Sequence, residues 1–359
     1  MNIGILTFHQ AHNYGAVLQC YALQETLRAL GHEVCIINYN QKFIKKVYKI
    51  FDIRLFFQYM LHHPRVALRY LWGVKKRIIR KKNFDSFIKK HLLLSEECDF
   101  SHIPYNLDLY IIGSDQLWNS SLTGGCDKVY WGEFLHKPSS SLITYAISTS
   151  LSNLACISET FVKQHIKEFK SISVREKTLS LYLTKKFISR DYVTCLDPTL
   201  IADKKIWNTV CSYRFKHEKY VLIYQTRGYN NNPKLLRQKA EYLAKKENLK
   251  VIDLSTVYFP PEDFIGLFRY ATCVITTSFH AVAFSLIFNK PFYAIALNDG
   301  HDSRYVDLLK SIGLESSIVK PDFIPQATEV DYTQVNNKLS KLKSISIDYL
   351  KSNLGEYQK

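Results

Sequence analysis

Short apolar runs alternate with amphipathic stretches along most of the chain, and each apolar run stops at a small polar loop. The pattern predicts a strand over residues 3–8, a helix over 16–30 with apolar residues at helical spacing, and a strand over 33–39, with Gly31 as the helix stop. A βαβ opening of this kind implies a right-handed crossover and a parallel sheet. Four more strands are predicted over 107–112, 142–147, 172–174 and 193–196, giving six strand–loop units with helices between them. A second array follows, with strands over 220–225, 250–254 and 291–297 and a buried strand ending at Val274 and Ile275. Its helices are predicted over 233–248, 261–270, 281–288 and from Asp302-Ser303-Arg304 to 312.

This pattern reads as an α/β chain of two Rossmann-like domains facing a cleft, a GT-B-like architecture. The boundary is placed in the polar stretch after residue 200. The domains are then 1–205 and 206–330, and residues 331–359 form a terminal helix packing back across both. A length of 359 residues suits two domains.

In open parallel sheets, ligands collect at the carboxyl ends of strands, where helix N-termini attract anions. The strand-end loops are therefore the places to look. Thr276, Thr277 and Ser278 supply hydroxyls suited to a helix start, and His280 stands where strand gives way to helix. It either faces an anionic ligand or is a half-buried histidine that helps cap its own helix. The loop at 9–15 ends in Asn13-Tyr14-Gly15 and is either a ligand loop or a tight connection; it is not GxGxxG. Gly113-Ser114-Asp115 forms another such loop, where Asp115 either binds a sugar hydroxyl or caps the next helix. Asp197-Pro198-Thr199 is also an ordinary turn start, and Thr226-Arg227-Gly228 closes the first strand of the second array.

Composition alters this picture at one place. The net charge is +16, and residues 41–92 hold 15 Lys or Arg against only Asp52 and Asp85. Phe43, Tyr48, Phe51, Phe56, Phe57, Tyr59, Tyr70 and Trp72 are interleaved with them. This mixture fits amphipathic helices on an anionic membrane surface, or a solvated basic face on ordinary helices. No nucleic-acid motif accompanies it. No apolar run reaches the ~18 residues of a membrane span, and no signal peptide is expected at the start. The eight cysteines lack CxxC or metal-like spacing, and Cys35, Cys195 and Cys273 fall in apolar runs. They read as small core residues of a reducing compartment, which predicts a cytoplasmic protein.

Taken together and in order, several motifs resemble the polysaccharide pyruvyl transferase family. They are Gly4-Ile5-Leu6-Thr7 with Asn13-Tyr14-Gly15-Ala16, Gly113-Ser114-Asp115, Ser173-Val174-Arg175-Glu176, Asp197-Pro198-Thr199, and Ser278-Phe279-His280 with Asn289-Lys290-Pro291. The resemblance covers roughly residues 2–310. It implies a GT-B-like enzyme that moves an enolpyruvyl group from phosphoenolpyruvate to a sugar and forms a pyruvate ketal. His280 matches the family's histidine near the donor, Arg175 an arginine that holds the donor's anionic groups, and Asp197 the acid of the DP motif. Many members carry arginine two residues before the histidine, where this chain has Ser278. Arg227 and Arg304 are the candidates to compensate.

The chemistry asks for a proton donor to carbon and a base for a hydroxyl. His280 serves as the acid or as the phosphate-side partner, and Asp197 as a base or as a brace. No metal cluster is evident, and no cofactor beyond the phosphoenolpyruvate donor is implied. The acceptor expected is a hexose of a capsule or exopolysaccharide repeat on a lipid or nucleotide carrier, with 41–92 holding the enzyme at the inner face of the membrane. The alternative is a glycosyltransferase using a nucleotide sugar, for which Glu262 is the nearest ribose-binding candidate.

Overall fold

The computed structural model describes residues 1–355 except 105, 135–140, 188–189, 227–231, 233, 298–301 and 327–328. The first strand, β1 (Asn2–Leu6), is buried from Ile3 onward, because helices cover both faces of its sheet. It feeds α1 (Tyr14–Ala29) and β2 (Glu33–Tyr39). The basic stretch then folds as three helices, α2 (Lys42–Val47), α3 (Ile53–His62) and α4 (Pro64–His91). The rest of the first unit comprises β3 (Leu94–Cys98), β4 (Leu109–Asp115), α5 (Ser120–Thr123), β5 (Ser141–Ile147), α6 (Leu151–Ala155), α7 (Glu159–Ile166), β6 (Ile172–Val174), α8 (Lys177–Lys186) and β7 (Tyr192–Thr194). These strands form one seven-stranded parallel sheet in the order β3-β2-β1-β4-β5-β6-β7.

Two short helices, α9 (Pro198–Ile201) and α10 (Lys204–Val210), lead into the second sheet. It contains β8 (Tyr220–Tyr224), α11 (Leu235–Glu247), β9 (Lys250–Asp253), α12 (Pro261–Tyr270), β10 (Cys273–Thr276), α13 (Phe279–Ile287), β11 (Phe292–Ile295), α14 (Ser303–Ile312) and β12 (Ile318–Val319). Its five strands are parallel in the order β12-β11-β10-β8-β9. Two parallel sheets flanked by helices make this the expected two-Rossmann, GT-B-like architecture. The last helix, α15 (Tyr332–Leu354), bridges the halves: Tyr332 Oη donates to Lys290 O at 2.5 Å and Tyr349 Oη to Thr144 O at 2.8 Å. The 205/206 division lies inside α10, and the chain passes from one sheet to the other between Thr194 and Tyr220.

The first sheet has seven strands where the pattern predicts six. The extra one, β3, reads Leu-Ser-Glu-Glu-Cys and lies at the sheet edge, so it lacks the apolar run of a buried strand. Gly113-Ser114-Asp115 also departs from expectation, since it is the buried end of β4 rather than a loop. Gly113 has φ 133°, and a Cβ there would lie 2.1 Å from Tyr145 O of β5. Only glycine fits so close to the neighbouring strand.

Both sheets reverse strand order, the first between β1 and β4 and the second between β8 and β10. The α1 helix sits at the first reversal and is buried nearly all round, because the second domain covers the face that solvent would otherwise take. Tyr14 stacks on Phe264 of α12 at 4.3 Å, and one apolar core runs through both halves. Its buried amides are satisfied: Gln19 donates to Thr7 Oγ1 at 2.8 Å and accepts from Ser114 N at 3.2 Å, tying the ends of β1 and β4 to α1.

Candidate active site

Both reversal points open on one interdomain cavity of about 690 Å³, within the range of ordinary ligand sites. The first domain contributes Asn13 and Gly15 at the start of α1, Asp115 at the end of β4, and Gln116 and Asn119 after it. The second contributes Tyr224 at the end of β8 and Thr226 after it, Ser278 and His280 at the start of α13, and Arg304 in the first turn of α14. Two helices therefore present their N-terminal ends to the same space, each equivalent to a partial positive charge.

The caps at these ends are local. Asn13 Oδ1 accepts from Ala16 N at 3.3 Å and starts α1. At α13 the Ser278 side chain makes no capping bond; instead Thr276 Oγ1 accepts from Ser278 N at 2.9 Å and donates to Tyr224 O at 2.6 Å. Ser278 is thus left as a cavity-lining residue.

Beneath His280 lies a buried charged cluster. Arg175 Nη1 donates to Asp197 Oδ2 at 2.8 Å, Nη2 to Ser148 Oγ at 3.0 Å and Nε to Glu176 Oε1 at 3.2 Å. The Phe279 ring lies 4.3 Å from the guanidinium carbon. Asp197 also accepts from Thr199 N and Oγ1 at 3.0 and 2.7 Å, which caps α9. His280 Nε2 faces Asp197 Oδ2 at 3.7 Å, beyond hydrogen-bond length, and is buried without a hydrogen-bond partner. Its influence on Asp197 is that of a neighbouring polar group, and Nδ1 lies on the other side, against Gly15 of α1.

Burial alone would raise the Asp197 carboxyl, but His280, Arg175 and the Thr199 N–H outweigh it and hold Asp197 far below the ordinary carboxylate range. For Glu176, burial prevails and pushes the carboxyl up despite Arg175 and Ser148. Arg175 is kept charged by Glu176 and Asp197 against its own burial.

Among the expected site residues, Asn13, Gly15, Asp115, Ser278, His280 and Arg304 line the cavity. Arg175 and Asp197 lie below it, with side chains 2% and 0% exposed. Tyr14 turns into the domain interface, where its hydroxyl donates to Phe259 O at 2.7 Å. Ser114 is buried, donating to Ala146 O at 2.7 Å. Arg227 lies outside the described residues. Glu262, the ribose candidate of the alternative reading, is absent from the cavity lining and sits 3.5 Å from His91 of α4.

The sequence reading missed a polar wall and an apolar one. Asn119 donates to Gln116 Oε1 at 3.1 Å, while Ser121 Oγ donates to Asn153 Oδ1 at 2.9 Å. These residues follow strand ends already marked as loops, so the signal was present. The apolar wall is α2, with Phe43, Ile44, Val47 and Tyr48, and nothing in the basic run marked it as part of a site.

Asp115 itself has φ 82°, a left-handed conformation that costs a non-glycine residue of order 1 kcal/mol. It is held there by Ser148 N, which donates to Asp115 O at 2.9 Å, and its Oδ1 accepts from Gln116 N at 2.9 Å. The strand end is thus fixed with its carboxylate at the cavity wall.

Structural likeness to solved proteins is distributed over the whole chain at low identity. A UDP-GlcNAc 2-epimerase from Methanocaldococcus jannaschii aligns at 10% identity and TM-score 0.49, over 97% of this chain and 93% of that one. A UDP-N-acetylglucosamine 2-epimerase from Rickettsia bellii aligns at 11% and 0.46, over 98% and 97%. An alpha-glucosyltransferase in complex with UDP and a 13-mer DNA aligns at 10% and 0.47, over 98% and 91%. No match was found among curated proteins. Residues 13–299 match the family model described as polysaccharide pyruvyl transferase, a span that includes every cavity-lining residue except Phe8, Ala11 and Arg304. The chain belongs to the polysaccharide pyruvyl transferase family.

Proposed function

We propose that this transferase moves an enolpyruvyl group from phosphoenolpyruvate to a hexose of a surface polysaccharide repeat and closes it to a pyruvate ketal. The observation that carries the reading is the convergence of two helix N-termini, His280 and Arg304 on one interdomain cavity. Phosphoenolpyruvate brings a phosphate and a carboxylate, and each helix end favours an anion by about 0.3–1 kcal/mol. Arg304 adds a planar donor fork on the same side.

In the reaction, a proton adds to the methylene carbon and the neighbouring carbon becomes cationic. One sugar hydroxyl attacks that carbon and releases its proton, phosphate departs, and a second hydroxyl closes the ring with loss of its own proton. One proton stays on carbon and one leaves with phosphate. His280 is the proton carrier in this scheme, a role worth ~10²–10⁴-fold. Asp197 stands 3.7 Å from His280 Nε2 and Arg175 holds Asp197, so both act on His280 electrostatically from below the cavity rather than touch the donor. The amide-rich wall of Gln116, Asn119 and Asn153, with Asp115, suits the hydroxyls of an acceptor sugar. The nucleotide-sugar alternative has lost its acidic ribose candidate from this cavity, since Glu262 faces His91.

Thermal unfolding in the presence of phosphoenolpyruvate or UDP-glucose tests the reading. A ligand specific to the folded state stabilises by ~2.7 kcal/mol at a hundred times its Kd. Phosphoenolpyruvate is expected to raise the transition of the wild type and to lose most of that effect in Arg304→Gln. Stabilisation by UDP-glucose with no response to millimolar phosphoenolpyruvate would overturn it.

A further inference from the structure

The α3–α4 segment carries more apolar surface than a solvated hairpin needs. No residue of α3 is buried. Its exposed apolar side chains, Ile53, Phe57, Met60 and Leu61, recur at i, i+4, i+7 and i+8, one face of the helix. The α4 helix repeats the pattern with Leu68, Leu71, Trp72 and Ile79, and Lys75 and Lys82 fill the i+7 and i+14 positions of the same face. Trp72 is 82% exposed and Leu61 80%.

These stripes are the outer side of a braced unit. On the inner side, Phe51 and Tyr59 pack on the Tyr70 ring, Tyr70 Oη accepts from Asp52 N at 2.7 Å, and Arg77 donates to Ile50 O and Tyr70 O at 2.6 and 2.7 Å. The charge around the stripes is almost all positive, with 15 Lys or Arg against two acids over residues 41–92. Among the described residues no helix is long and apolar enough to cross a membrane.

From these observations we infer that the α3–α4 hairpin is an in-plane docking element for an anionic lipid surface. Bulky apolar side chains enter the interface while lysine and arginine heads, on long flexible stems, reach the phosphates beside them. An exposed tryptophan at the centre of the stripe is suited to the boundary between headgroups and acyl chains. Its basic groups are interleaved with the apolar ones along the sequence, which matches a bilayer interface.

The element is also joined to the cavity. Arg80 of α4 donates through Nε to His12 O at 2.8 Å and lies 5.2 Å from the Tyr48 ring centre, and Tyr48 lines the cavity beside Asn13 and Asp115. Docking would hold the apolar α2 wall of the cavity next to the lipid surface. If the proposed transfer is right, that is where a lipid-borne acceptor would arrive; the docking itself does not depend on it.

Trp72 supplies the readout, because Trp118, Trp131 and Trp207 are already buried at 1% exposure or less. The full chain is mixed with vesicles of equal phosphatidylglycerol and phosphatidylcholine, or of phosphatidylcholine alone, then sedimented and its tryptophan emission read. Expected are sedimentation with the anionic vesicles at low salt, a blue shift, and binding weakened roughly tenfold or more by 0.5 M salt or by the neutral lipid. Leu61→Glu with Trp72→Glu should abolish sedimentation while leaving the melting temperature and the response to phosphoenolpyruvate unchanged, since both side chains are exposed. Lys75→Glu with Lys82→Glu, which keeps Trp72, should lower anionic binding by roughly thirtyfold or more. Three outcomes would overturn the inference: no sedimentation at low salt, binding indifferent to the Leu61/Trp72 pair, or self-association that hides Trp72 without lipid.

Discussion

Gly15→Ala tests the central geometry with a single methyl group. Gly15 is the second residue of α1, and its backbone is in a region open to alanine, so nothing local forbids the change. Helix propensity alone would reward it by up to about 1 kcal/mol. The obstacle comes from the other domain, since the new Cβ would lie 2.0 Å from His280 Nδ1, and real Cβ contacts do not fall below 3.0 Å. The imidazole must therefore retreat by about the difference, away from α1. Overpacking costs ~1–3 kcal/mol, so the net loss of stability in urea should stay within about 2 kcal/mol once propensity is counted. A displacement of ~1 Å at a reacting group costs on the order of 10²-fold in rate. The assay is phosphate release from phosphoenolpyruvate in the presence of acceptor glycan, read beside a urea melt. A folded Gly15→Ala protein turning over within about twofold of wild type would refute the placement of His280 as the reacting group, because a 10²-fold effect could not be hidden.

Asp197→Asn removes one of two carboxylates from the buried Arg175 and should destabilise the fold by ~3–5 kcal/mol, measured by urea unfolding. The same carboxyl gives a pH signature. Its folded pKa is depressed, so its contribution is fully present above the ordinary carboxylate pKa of about 4 and fades as pH falls through that value toward the folded one. Stability of the wild type below about pH 4 should thus fall more steeply than that of Asp197→Asn; parallel curves would argue against the assignment. Finally, Ser278→Arg places a cation at the cavity wall beside His280. In an Arg304→Gln background it should recover at least part of the thermal response to phosphoenolpyruvate, and no recovery would mean that the two positions do not serve the same anion.

The alternation of apolar runs and polar loops was enough to set the fold class, because parallel strands buried on both faces are written as continuous apolar runs that the order of residues exposes. Edge strand β3 escaped for the same reason in reverse: half of it meets solvent, and its glutamates carry no strand signal. The motif order also named the family and brought His280, Gly15, Asp115 and Arg304 to notice, since ligand-facing groups in such sheets gather at strand ends that periodicity can locate. What periodicity does not encode is which strand ends meet. That Asn13 and Gly15 stand against His280, some 265 residues later, follows from the packing of α1 against the second domain, where Tyr14 on Phe264 sets the approach. The tertiary structure alone decided that Arg175 is enclosed by Asp197, Glu176 and Ser148, because burial depends on what covers a loop and not on the loop's own residues. It likewise decided how the basic segment divides: α2 lines the cavity, while α3 and the first turns of α4 keep their apolar side chains exposed.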